Sequence, residues 1–213
     1  QIVLTTPDYQ RAVVFNRGDS SVTVIDAATL DKDTVDVRTN LNTMVMSPDG
    51  AWVVLWHDAA AERPDDVEPP GLESFNEATH TAMAVGFDPR MVRFTPDGQT
   101  AVVVSDAYLA NVDLQADVLV PELIELAPGV LDAPSAEEVI VATDGSFAWV
   151  RQFGATELLV VDLETRGVEA VPAGINPTDL DLSPDGLQAV AVARGSSELY
   201  IYDAESPFTP PRV

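Results

Sequence analysis

Ser47-Pro48-Asp49-Gly50-Ala51-Trp52-Val53-Val54-Leu55 is a tight turn running straight into an apolar, β-rich run. Proline presets φ, the aspartate side chain bonds the local backbone, and glycine accepts positive φ. The phrase recurs as Thr95-Pro96-Asp97-Gly98 and Ser183-Pro184-Asp185-Gly186. Degenerate copies stand at Thr6-Pro7-Asp8-Tyr9 and Ala142-Thr143-Asp144-Gly145. Their first residues are separated by 41, 48, 47 and 41 positions. The runs after the turns are Ala12–Phe15, Trp52–Leu55, Ala101–Val104, Phe147–Val150 and Ala189–Val192. They are too short and too β-branched for helices, and being apolar on both faces they read as central strands. A shorter strand precedes each turn, as in Ile2-Val3-Leu4 and Met44-Val45-Met46.

A second phrase keeps nearly the same register. Val22-Thr23-Val24-Ile25-Asp26-Ala27-Ala28-Thr29 recurs as Leu158–Thr165 and Leu199–Ser206, with weaker copies around Asn111–Leu114 and Ser74–Thr79. It reads as a third strand ending in a polar turn. A fourth strand usually follows, as in Thr34–Arg38, Ala82–Val85, Leu123–Leu126 and Gly167–Val171. Four short strands per unit of roughly 40 to 45 residues is the period of a propeller blade. The expected fold is therefore all-β: a β-propeller of four-stranded antiparallel blades. Five repeat units are visible, at about 1–40, 41–88, 89–134, 135–175 and 176–213, in a single domain. The fifth lacks an outer strand, because Pro207, Pro210 and Pro211 suit a strand poorly. Either the ring closes with five blades, or these units belong to a six- or seven-bladed ring, since an open array leaves sheet edges exposed.

These residues resemble the YVTN-type, lactonase-like β-propellers, whose blades carry a strand, an S-P-D-G turn, a strand, and then V-x-V-I-D-x-x-T. Asn16–Asp26 is the best match; the YVTN tetrapeptide itself is absent. The resemblance covers nearly the whole chain and speaks to fold more than function. In propellers of this kind ligands and partners most often use one face, here called the top, and the central channel; acids often sit near the axis.

Composition excludes several functions. The chain has 35 acids against 11 bases, a net charge of -24, and Lys32 is its one lysine. Such a surface repels phosphate backbones and anionic membranes, so nucleic-acid binding and membrane insertion are not expected. Without cysteine there are no disulfides, thiol nucleophiles or thiolate metal sites. No apolar run reaches bilayer length. The first residue is Gln1 and acids abound, which point to an exported protein of the periplasm or cell surface, with a protein or other extracellular ligand as partner. Oligomeric state is not legible.

Strand order sends the loops between strands two and three, and from strand four to the next blade, to the top; the S-P-D-G turns lie at the bottom. The expected binding residues are therefore top-face ones: Arg17, His57, Asp58, Asp106, Arg151 and Arg194 at the ends of second strands, with Glu62, Asp65 and Asp66 in a long loop after His57. Arg17, Arg151 and Arg194 could grip a carboxylate. A second length excess, between Asp113 and Ala142, is expected on the same face. No cofactor is expected; calcium is the one ion that Asp65-Asp66 or Asp31-Lys32-Asp33 could take, without EF-hand spacing. His57 falls at the top and His80 at the bottom, so they should not share a zinc ion. No G-x-S-x-G elbow, phosphate loop or dinucleotide fingerprint is present. Trp52, Trp56 and Trp149 read as packing between blades. The leading expectation is a non-catalytic binding scaffold. The alternatives are a lactonase-like hydrolase with a channel-bound divalent metal held by Asp58, Asp106 and Asp179, and a structural segment of a larger surface protein.

Overall fold

The structure, a computed structural model, describes residues 1–58, 72–75, 80–86, 88–128 and 134–213. They form antiparallel sheets and no helix. The first sheet is β1 (Ile2–Thr5), β2 (Arg11–Asn16), β3 (Ser21–Asp26) and β4 (Lys32–Asp36); the second is β5 (Thr43–Met46), β6 (Val53–Trp56), β7 (Leu72–Phe75) and β8 (His80–Met83). The third is β9 (Met91–Phe94), β10 (Thr100–Val104), β11 (Tyr108–Asp113) and β12 (Glu122–Glu125), and the fourth β13 (Ala136–Val141), β14 (Phe147–Gln152), β15 (Glu157–Asp162) and β16 (Val168–Pro172). The fifth has three strands, β17 (Pro177–Leu182), β18 (Gln188–Ala193) and β19 (Glu198–Asp203). Each strand pairs with its neighbour in sequence, and innermost strands lie against each other, β1 on β5, β9 on β13 and β13 on β17.

Where a fourth strand of the fifth sheet would run, the tail makes one bridge. Ile201 N donates to Arg212 O and Arg212 N to Ile201 O, both at 2.9 Å. The prolines limit the pairing to that residue pair, since they have no N–H to offer a ladder. Phe208, from the same tail, meets Phe147 edge-on with centroids 5.9 Å apart.

Strand alternation fixes what each side chain faces. Val13 and Phe15 of β2 point forward and meet Val53 and Leu55 of β6, which point back. Val54 and Trp56 then point forward onto Ala101 and Val103, and Val102 and Val104 onto Ala148 and Val150. Trp149 points forward onto Ala189 and Ala191. The core is thus four slabs, one between each pair of consecutive sheets. Trp52, Trp56 and Trp149 all lie in these slabs. The excess between Asp113 and Ala142 does not all go to the top: part is the bottom connection 114–121, whose Leu114 and Leu119 tuck into the second slab, and of the rest 126–128 and 134–135 are described.

At the bottom the turns interlock. Asp8, Asp49, Asp97 and Asp185 accept hydrogen bonds from Thr6, Ser47, Thr95 and Ser183 Oγ at 2.5–2.6 Å, and from backbone N–H groups two residues on at 3.0–3.1 Å. Each turn glycine lies against the preceding unit's turn. A Cβ on Gly98 (φ +72°) would fall 2.8 Å from Asp49 Cγ, and one on Gly186 (φ +74°) would overlap Thr143 Oγ1. The first unit breaks the phrase with Tyr9, at φ 58° and largely exposed, in the position where no preceding described turn packs.

Hydrogen bonds from Thr6, Thr95, Ser146 and Ser183 lower the carboxyl pKa values of Asp8, Asp97, Asp144 and Asp185; backbone N–H groups do the same for Asp26 and Asp162. A carboxyl whose folded pKa is depressed contributes stability above its ordinary 3.8, lost as pH falls through the lower folded value. Repulsion within a net charge of -24 acts oppositely, relaxing towards the isoelectric point near 4.1. Thermal midpoints followed by circular dichroism should therefore rise from pH 7 to a maximum near about pH 5, then fall below about pH 3.8. A midpoint declining steadily from pH 7 downward would contradict this assignment.

Candidate functional site

The top-side connections of the second and third sheets meet in one charged cleft. His57 follows β6 and is fully buried; its Nδ1 donates to Asn40 O at 2.7 Å, which sets the tautomer. Asp58 is positioned through its backbone: Asn42 Nδ2 donates to Asp58 O at 2.8 Å, and Asp58 N donates to Asn42 Oδ1 at 2.7 Å. Asp88 and Arg90 come from the connection between β8 and β9, and Asp106 from the β10–β11 hairpin. Asp88 is held at φ 57°, a left-handed conformation aspartate tolerates better than most residues.

Arg90 Nη2 lies 2.7 Å from Asp106 Oδ1 and 3.7 Å from Asp88 Oδ2. Asp88 Oδ1 is buried and accepts no hydrogen bond among the described residues. Burial raises the Asp88 pKa, the neighbouring Asp106 and Asp58 carboxylates add to the rise, and Arg90 and His57 oppose it. Among the described residues one guanidinium, Arg90, lies between two of these acids, Asp88 and Asp106. The cleft can receive a cation, chiefly an amine or guanidinium able to donate to Asp88 Oδ1.

Of the residues expected from sequence, His57, Asp58 and Asp106 lie near one another around Asp88. Arg151 lies elsewhere: its Nε donates to Glu138 at 2.9 Å and its Nη1 to Glu137 at 2.8 Å and to Pro177 O at 3.3 Å. It ties the fourth sheet to the fifth. Arg17 sits half-buried in the β2–β3 hairpin, and Arg194 is exposed beyond β18. Glu62, Asp65 and Asp66 lie outside the described residues. Asp179, on β17, is in the fifth sheet, away from the sheets that carry Asp58 and Asp106. His80 opens β8 at the bottom hairpin, paired with Phe75, at the opposite end of the second sheet from His57. Asp88 and Arg90 escaped the sequence reading. Their signal was Asp88-Pro89-Arg90 directly before an innermost strand, next to Asp106 only once two sheets have packed.

No family model matches the sequence, and no curated protein does. Solved structures match along almost all of it. The periplasmic gluconolactonase PpgL of Pseudomonas aeruginosa is 18% identical, with a TM-score of 0.62, over 99% of this chain and 68% of that one. Its fold is that of the lactonase-like β-propellers. Dihydro-heme d1 dehydrogenase NirN is 17% identical, with a TM-score of 0.69, over 99% of this chain and 44% of its own. The β-propeller domain of Myceliophteria thermophila Cps50 (Swd1) is 13% identical, with a TM-score of 0.62, over 98% and 70%. This chain spans less than half the length of the NirN chain and about two thirds of the other two. Enzymes and a propeller of another kind share the architecture, so function must be argued from the site.

Proposed function

We propose that this chain is a non-catalytic propeller scaffold, exported to the periplasm or cell surface, that binds a cationic group of a partner through its top face. The observation that supports this reading is Asp88 and Asp106 on either side of Arg90, with Asp88 Oδ1 buried and without a hydrogen bond among the described residues. The net charge of -24 supports it by drawing basic partners to the surface at long range. The periplasmic gluconolactonase among the similar folds supports the compartment. The hydrolase alternative needs a divalent metal in the channel. Arg90 lies between Asp88 and Asp106, which favours reading this cleft as a seat for a cationic group of a partner.

The test is calorimetric titration with a hexalysine peptide at physiological ionic strength. Asp88→Asn should weaken binding by about tenfold. The Asp31→Asn variant, which removes the same charge from an exposed bottom turn, should change it by less than about twofold. Equal losses would mean diffuse attraction and no site. The thermal midpoint supplies a second readout. A raised carboxyl pKa means ionised Asp88 destabilises the fold above that pKa, so Asp88→Asn should raise the midpoint at pH 7 by about 2–4 °C, the effect of about 1 kcal/mol.

A further inference from the structure

Thr6, Ser47, Thr95, Ala142 and Ser183 begin the five bottom turns. Eleven positions on from each stand Arg17, Asp58, Asp106, Phe153 and Arg194. This shared place is the top side of each sheet, just past its second strand. Four of the five residues there carry a charge, and the fourth unit alone presents an aromatic ring. Phe153 is 67% exposed, although a phenyl ring gains by leaving water. Nothing lies within 4 Å of where a Cβ on the adjoining Gly154 would stand, so the tip of this hairpin is open to an approaching chain.

Two backbone contacts tie that tip to the acidic cleft. Ala136 N donates to Asp106 O at 3.4 Å, and Phe153 N donates to Ser135 O at 2.9 Å. Ser135 and Ala136 share one peptide bond, whose O and N are about 2.3 Å apart. Asp106 O and Phe153 N therefore lie within about 9 Å of each other. Asp106 in turn holds Arg90 at 2.7 Å, beside Asp88 with its buried Oδ1. A lone exposed apolar side chain is ordinary on a protein surface. Phe153 is set apart because it replaces a charge at a repeated place and adjoins a cleft suited to a cation.

We infer that the top face recognises two features of one partner segment: a basic residue whose cation enters the cleft at Asp88 and Asp106, and a nearby large apolar residue that covers Phe153. This rests on the cation-binding reading of the cleft and adds the second element. An extended peptide advances about 3.3 Å per residue, so about two or three residues reach from Asp106 to Phe153. The net charge of -24 draws any basic chain alike, and complementarity to it makes the partner a basic peptide segment. Phe153 supplies the selection among such segments.

Hexalysine and a heptapeptide of six lysines around a central phenylalanine carry the same side-chain charge. In calorimetric titration at physiological ionic strength, the heptapeptide should bind about tenfold more tightly than hexalysine. Phe153→Ala should bring that ratio to within about twofold of one, the loss expected when the apolar contact goes. Phe153→Trp keeps an aromatic surface, and its emission should shift to the blue with the heptapeptide and not with hexalysine. Equal affinity of the parent chain for the two peptides, a ratio that survives Phe153→Ala, or an unchanged emission overturns the inference. Asp88→Asn separates it from the reading of the cleft, because it should weaken both peptides and keep their ratio. If that variant weakens neither peptide, the reading of the cleft falls and this inference with it. If it weakens hexalysine while the parent ratio is one, the cleft stands and the part given to Phe153 is overturned.

Discussion

Trp149→Ala should lower the stability of the chain by about 3–5 kcal/mol, the range for truncating a large buried aromatic. Trp149 is fully buried between the fourth and fifth sheets, over Ala189 and Ala191. Its ring lies 5.0 Å from that of Tyr202, whose hydroxyl donates to Pro172 O at 2.6 Å, and burial raises the Tyr202 pKa strongly. Small alanines on β18 leave a hollow that only a large ring fills, so little can collapse into the cavity. The conservative control is Trp149→Phe. Trp149 Nε1 is buried without an acceptor, a penalty of about 1–3 kcal/mol that phenylalanine removes, offsetting its smaller volume. That variant should stay within about 1 kcal/mol of the parent. Urea titration read by hydrogen exchange measures both, with protection lost first in β17, β18 and β19. An alanine variant costing less than about 1 kcal/mol would mean the indole does not join these sheets.

The second large effect is at the bottom. Gly186→Ala should cost about 3 kcal/mol or more, the sum of left-handed strain and an overlap with Thr143 that neither turn can relieve by a rotamer change. Gly154, at φ +66°, has nothing within 4 Å of the place a Cβ would take. Gly154→Ala therefore isolates the conformational part, about 1 kcal/mol. The difference between the two variants is the contact between consecutive turns. Adding Thr143→Gly to Gly186→Ala should recover more than about 1 kcal/mol, measured as the coupling energy of a double-mutant cycle. Coupling near zero would show that the fourth and fifth turns do not touch.

These two sites mark what could and could not be read from the amino-acid order. The turn at Ser183–Gly186 was legible because proline, aspartate and glycine each do a local job, and local conformation follows from local chemistry. The apolar run Ala189–Val192 was legible as a strand for the same reason. That Gly186 also makes room for Thr143 was not, since the demand comes from the previous unit, some 40 residues back. The site divides in the same way. That His57, Asp58 and Asp106 would share one face was legible because strand parity puts hairpin ends on the same side. Arg90 became a partner of Asp88 and Asp106 only through packing between sheets, and the acids that hold Arg151, Glu137 and Glu138, come to it from β13. The tail pairing at Arg212 was hidden by flanking prolines, which argue against a ladder but permit one bridge.

The separateness of the four slabs has a mechanical consequence. With no single centre shared by all sheets, a pull on the two ends of the chain meets a series of similar fastenings. Such a body gives way in steps, one sheet peeling before the next, and yields a sawtooth in place of a single rupture.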